Sequence, residues 1–135
     1  MLQSDTAIRL CLDEQFTPPQ IVIDNLGLLC NNVLEPLRSL VQQPIYITSG
    51  YRCPRLNSAI GGAMNSQHIV GQAADTHINN MTVQDWYEFV KQHPIFDQLI
   101  QEFNQWVHVS YNASQRDSCL IATKVNGITV YTPDK

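Results

Sequence analysis

From Val22 to Val41 apolar side chains recur at positions 22, 26, 29, 33, 37 and 40–41, the spacing of one helix face. The pattern predicts one long core helix, with Thr17 as N-cap and Pro18-Pro19 in the first turn, where a missing N–H costs nothing. Pro36 falls inside it and predicts a kink or break, and Gln42-Gln43-Pro44 ends it. The period then changes. Ile45-Tyr46-Ile47-Thr48 are β-formers and read as a short strand closed by Ser49-Gly50. Residues 54–60 read as a short helix stopped by Gly61-Gly62, and residues 73–78 as a second strand. Thr82 followed by Asp85 resembles a capping box, with Asp in place of Glu or Gln. It opens a helix to about Gln92 with Val83, Trp86, Tyr87 and Val90 on one side. Residues 99–103 and 106–111 are strand-like. Residues 120–125 and 128–132 flank Asn126-Gly127, a strong hairpin signal because both turn positions want φ > 0. The expected fold class is α+β, helices first, then a small, largely antiparallel sheet flanked by helices.

The chain has 135 residues, 44% of them apolar, which predicts one packed domain over residues 1–135. No uncharged apolar stretch approaches the roughly 18 residues of a membrane span. The net charge is −4 and the eight basic residues are scattered, which argues against nucleic acid as a partner. Only 15% of residues are charged. Polarity comes instead from Asn, Gln, Ser and Thr, which suits polar, hydrogen-bonding ligands. Cysteines at 11, 30, 53 and 119 match no zinc-finger spacing and read as small core hydrophobes rather than a disulfide framework. The first residues lack the basic start and apolar run of a secretory signal. The expectation is a protein that acts where it is made, is released by another route, or was trimmed.

Residues 65–75 read Asn-Ser-Gln-His-Ile-Val-Gly-Gln-Ala-Ala-Asp. His68 and Asp75 lie on either side of Gly71, and a glycine there lets the chain turn so that imidazole and carboxylate converge. His108, within Trp-Val-His-Val-Ser-Tyr, alternates with Val107 and Val109 and so points to the opposite face. Two histidines and one carboxylate form a mixed set that suits Zn²⁺. Three protein ligands leave a fourth tetrahedral position for water, as in catalytic rather than structural sites. Zinc would lower that water's pKa to about 7 and polarise a substrate carbonyl. On spacing alone, the ordinary alternative is a hydrogen-bonded strand histidine and a chance His–Asp pairing.

Ser66-x-His68-x-x-Gly71-x-Ala73-x-Asp75, with Trp106-x-His108 downstream, resembles the zinc D-Ala-D-Ala carboxypeptidase family, grouped with lysostaphin and the hedgehog signalling domain. Ser49-Gly50-Tyr51-Arg52, Leu56-Asn57 and Gly61-Gly62 resemble its small bacterial and phage branch. The resemblance implies a hedgehog/D-Ala-D-Ala peptidase-like fold with one Zn²⁺ per chain, held by His68, Asp75 and His108. It implies hydrolysis of peptide bonds next to D-amino acids in peptidoglycan, by carboxypeptidase or endopeptidase action, as in endolysins. The implied partners are peptidoglycan stem peptides, met by a monomer that is periplasmic, extracellular or phage-released. Arg52 matches a family arginine in the cleft, which would bind the substrate's carboxylate or carbonyl oxygen and stabilise the oxyanion. Its ordinary reading is a surface salt bridge, and Arg55 stands near enough for the same work. Ser66, Trp106 and Tyr51 are the substrate-binding candidates. Ser66 would support the metal loop, or serve as a turn hydroxyl bonded to backbone. Trp106 would pack beneath the metal or wall the bound peptide.

The general base is where the sequence departs from the family. Many relatives place an acid three positions before the last zinc histidine, others a histidine two before, and here those positions are Gln105 and Trp106. Neutral Gln cannot take a proton from water. The nearest acid is Glu102, which on one continuous strand would lie about 20 Å from His108. A three-residue turn would pair Glu102 with Trp106 and put it on the face of His108, whereas a two-residue turn would face it away. Glu102 is therefore the candidate general acid/base, with a solvated strand-end charge as the other reading. His77 is the spare proton carrier or a polar strand residue, and His93 suits the C-terminal end of a helix. The alternative function is a catalytically weak or inactive zinc-containing peptidoglycan-binding module, separable from the enzyme by how far Glu102 sits from the ligands. A structural phage or envelope protein without metal is a third reading, which the His68, Asp75 and His108 set argues against.

Overall fold

The apolar stripe over residues 22–41 becomes three consecutive helical segments in the computed structural model, which describes residues 1–135. They follow a short helix α1 (Asp5–Arg9), capped by the Ser4 hydroxyl, and a 3₁₀ turn (Asp13–Phe16). Helix α2 spans Gln20–Leu29, a π turn Cys30–Leu34, and α3 Glu35–Val41. Thr17 is not the N-cap, and α2 begins only after Pro19. A residue before proline is pushed out of helical geometry, and Thr17, at φ −127° and ψ 62°, lies outside it. The break expected at Pro36 lies just upstream of it. Proline has no N–H to bond Asn32 and its ring crowds that carbonyl, so the preceding turn widens and the Glu35 N–H reaches back to the Cys30 carbonyl.

Six strands make one sheet: β1 (Tyr46–Ser49), β2 (Ala73–His77), β3 (Gln98–Glu102), β4 (Trp106–Ser110), β5 (Ser118–Val125) and β6 (Ile128–Pro133). Their order is β1-β2-β4-β3-β5-β6. All pairs are antiparallel except β3–β5, so the α+β class with a mostly antiparallel sheet is what the chain adopts. Helix α4 (Pro54–Ala59) follows β1, and α5 (Val83–Lys91) follows β2, with the Thr82 hydroxyl accepting from the Asp85 N–H. Asn126 and Gly127 have φ of 52° and 79° and join β5 to β6 in the expected tight turn.

One sheet face packs on helices. Leu29, Val33 and Leu37 from the long helical run and Trp86, Tyr87 and Val90 from α5 bury against Ala74, Leu99, Val107 and Val109. The Trp86 indole N–H donates to Thr76 Oγ1 and the Thr76 hydroxyl to the Val107 carbonyl, so the two polar groups inside this core are satisfied. A smaller cluster of Ala7, Leu12, Val22, Tyr51, Cys53 and Leu56 anchors the segment after β1. The cysteines are all free, but only Cys53 is a buried core residue. Cys11 is exposed, because the chain leaves α1 through a left-handed turn at φ 55° that points it to solvent. No helix is long and apolar enough to cross a membrane.

Candidate metal centre

Strand alternation puts Val107 and Val109 into the core and His108 on the other face. There it pairs across the ladder with Asp75 of β2. His68 arrives from a 3₁₀ turn (Gln67–Val70) whose N-cap is Ser66. Gly71 ends that turn at φ 75°, and a Cβ there would meet the Val22 carbonyl at 2.6 Å, so only glycine lets the chain reverse against α2 and enter β2.

Three donor atoms converge. His68 Nε2 lies 3.2 Å from Asp75 Oδ1 and 3.2 Å from His108 Nδ1, and His108 Nδ1 lies 3.3 Å from Asp75 Oδ1. Tetrahedral zinc with bonds of about 2.0–2.1 Å needs neighbouring donors about 3.3–3.4 Å apart, so this triangle is one face of such a tetrahedron. The protonation chemistry agrees. His68 Nδ1 sits 2.6 Å from the Gly50 carbonyl, which can only accept, so the proton is on Nδ1. In the neutral ring Nε2 then presents a lone pair to a carboxylate oxygen and to a second imidazole. Acceptors do not face one another unless a cation stands between them, and a metal ion meets that need.

The site is buried: His68, Asp75 and His108 are 2%, 4% and 6% exposed. Burial alone would raise the Asp75 pKa, but the imidazoles of His108 and His68 outweigh it and hold the carboxyl well below its usual range. The other oxygen, Oδ2, accepts from Arg52 Nη2 at 2.9 Å. Arg52 is not a surface salt bridge. Its Nε donates to Ser49 Oγ at 3.0 Å and its Nη1 to Asn57 Oδ1 at 3.4 Å, so three of the five guanidinium N–H groups are engaged and two remain for a ligand. Arg55 instead pairs with Glu14 at the surface.

The turn between β3 and β4 has three residues, and Glu102 pairs with Trp106. Phe103 and Asn104 take φ of 56° and 54° to make it. Glu102 Oε1 therefore comes to 3.8 Å from His108 Nδ1. Burial raises the Glu102 pKa, with the His108 ring opposing and the Asp75 charge adding to the rise. Arg52, His68, Asp75, Glu102 and His108 all line one cavity of about 1000 Å³ on the sheet face opposite the core helices α2, α3 and α5.

The substrate-side candidates divide. Trp106 lines the cavity and packs edge-on against Phe103. Ser66 also borders the cavity, but its hydroxyl accepts from the His68 N–H and so fixes the turn that carries His68. Tyr51 reaches the cavity wall from inside the smaller apolar cluster. His77 stacks on Tyr46 at the cavity rim, and His93 Nδ1 lies 2.8 Å from the Phe89 carbonyl at the end of α5.

Two features have no local signal in the sequence. Asp97 is fully buried and accepts from Gln67, Ser114 and Arg116, which bind the loop after β4 to the turn that carries His68. Burial opposes its charge, but Arg116 above all holds its pKa down at about 2. Tyr131 lines the cavity from β6, far along the chain from the other site residues.

A family model described as Peptidase M15 matches residues 7–110, a stretch that contains Arg52, His68, Asp75, Glu102 and His108. No curated protein matches the chain.

Proposed function

This chain belongs to the peptidase M15 family, the zinc D-Ala-D-Ala carboxypeptidase family, and from that premise we propose that it is a zinc metallopeptidase hydrolysing peptide bonds next to D-amino acids in bacterial peptidoglycan. The observation that carries this reading is the donor triangle of His68, Asp75 and His108 with Glu102 Oε1 3.8 Å from one corner. His68 Nε2, Asp75 Oδ1 and His108 Nδ1 would hold the ion. When bound, zinc supplies Lewis acidity that makes water a nucleophile near neutral pH and polarises the carbonyl.

The chain's own residues do the rest. Glu102 takes the proton from the attacking water and delivers it to the leaving amine. Its raised pKa suits both halves of that transfer. Arg52, held by Ser49, Asn57 and Asp75, directs its two free N–H groups at the carbonyl oxygen as negative charge develops there. The partly buried sheet face keeps bulk water from competing for these charges. The alternative, an inactive zinc-containing binding module, would fit a Glu102 remote from the ligands, and its closeness favours the enzyme.

The test is mass spectrometry of purified peptidoglycan incubated with zinc-loaded protein beside a chelator-treated control. New fragments that vanish with chelator are expected, and their masses name the bond. Absence of fragments from protein shown to carry zinc would turn the reading to the binding module.

A further inference from the structure

The matched segment ends at residue 110, yet the hairpin beyond it completes the cavity. In the sheet Trp106 pairs with Glu102, Glu102 with Ala122, and Ala122 with Tyr131. Residues directly opposite one another share a face. These four side chains therefore form one row across β4, β3, β5 and β6, and Trp106, Glu102 and Tyr131 all line the cavity. Strands lie about 4.8 Å apart, so Tyr131 starts only about 10 Å from Glu102, with the methyl group of Ala122 between them. Ala122 is 0% exposed while Tyr131 is 50% exposed, as expected of a ring that lies over the alanine with one side open to the cavity. The neighbouring row continues from His108 through Ile100 to Leu120, which is apolar beside the phenol.

Across the sheet the order of groups is Arg52, the three metal donors, Glu102 and then Tyr131. A peptide laid across it with its scissile carbonyl towards Arg52 and its leaving amine at Glu102 runs on over Ala122. We propose that Tyr131 contacts this substrate, its phenol O–H donating a hydrogen bond to the carbonyl or carboxylate of the residue on the leaving side of the cut bond. Partial burial and the charges of Glu102 and Asp75 raise the phenol's pKa, so it stays a donor at neutral pH. The proposal rests on the peptidase reading and adds a specificity-determining residue to it.

The test compares Tyr131→Phe with Tyr131→Ala in two settings. In the zinc-loaded enzyme, Tyr131→Phe should raise KM for a synthetic stem pentapeptide (L-Ala-D-Glu-L-Lys-D-Ala-D-Ala) about tenfold, the worth of one uncharged hydrogen bond, with kcat within about twofold. In zinc-loaded Glu102→Gln protein, which removes turnover, calorimetry should show the pentapeptide binding about tenfold more weakly once Tyr131→Phe is added. Metal content and Tm should be unchanged by the Phe variant, which keeps the ring over Ala122. Equal KM and equal affinity for Tyr and Phe would overturn the proposal while leaving the peptidase reading intact, because the wild type still cuts. A Phe variant like wild type with an Ala variant of lowered Tm would make Tyr131 a structural cover for Ala122. Failure of the Glu102→Gln protein to bind the pentapeptide would also overturn it, and if the wild type releases no fragments either, the peptidase reading falls separately.

Discussion

Each ring nitrogen of His68 has one task. Nδ1 donates to the Gly50 carbonyl, and that bond aims Nε2 at Asp75 and His108. The convergence of the three candidate donors was legible in the sequence because its cause is local: Gly71 between His68 and Asp75, and His108 between two valines. The placement of Glu102 beside them needed one further fact, the length of a turn. Its fate decides the mechanism, so Glu102→Gln is expected to keep zinc and lose about 10²–10⁴-fold in kcat. A base must be unprotonated in the free enzyme, so wild-type kcat/KM should fall as pH drops through the Glu102 pKa. Burial raises that pKa, so the acid limb should stand above the usual glutamate range. A pH–rate profile of the wild type checks this, and the residual activity of the Gln variant should lack the limb. Unchanged turnover in the Gln variant would remove Glu102 from the reaction. Asp97 and Tyr131 were not legible, because each acts through partners distant in sequence, Gln67 and Arg116 for one and the β3–β5–β6 row for the other.

At the scale of elements, the turn at residues 103–105 is the joint on which the site depends. The hydrophobic pattern identified β3 and β4, but no periodicity fixes how many residues a turn holds, and here two non-glycine residues accept positive φ to make it three. The same gap between pattern and geometry explains the long helix. Its apolar stripe was correctly placed, while the π turn and the delayed start depend on proline backbone chemistry that the stripe does not record. Exchanging two neighbours (Glu102→Phe with Phe103→Glu) keeps the three-residue turn but moves the carboxylate off the row opposite Trp106 and into the turn. His108 keeps its pairing with Asp75 on the other side of β4, so zinc binding should survive. Activity is then expected to fall about as far as in Glu102→Gln, at least 10²-fold. Metal analysis beside a peptidoglycan cleavage assay separates this outcome from general unfolding, and an active exchanged variant would show that Glu102 does not work from the face of His108.

At the scale of the molecule, the sheet divides labour between its faces. One face and two helical segments bury an apolar core, and the other gathers ionisable groups that such a core could not tolerate. The sequence foretold this division through the alternation in β4, yet not the closing hairpin's share in the cavity, because residues 118–133 carry a strand pattern and no motif. The division has a thermodynamic consequence. Without a cation, the folded state holds the His68 Nε2 lone pair against the Asp75 carboxylate in a setting almost closed to water. Folding then opposes itself at that point, and a bound ion relieves the opposition. Zinc at a thousand times its dissociation constant should therefore stabilise the fold by about 4 kcal/mol. For a domain of this size that is a rise in Tm on the order of 10–20 °C. Differential scanning calorimetry with zinc and then with chelator measures it. His68→Ala deletes one donor and frees the Gly50 carbonyl, so it should abolish most of the zinc-dependent rise. The apo protein of that variant should lose less than the cavity alone would cost, since the clash of acceptors goes with the ring. A wild-type Tm indifferent to zinc would mean that protons, not a metal, hold the triangle together, and the site would then be a hydrogen-bonded histidine–aspartate cluster.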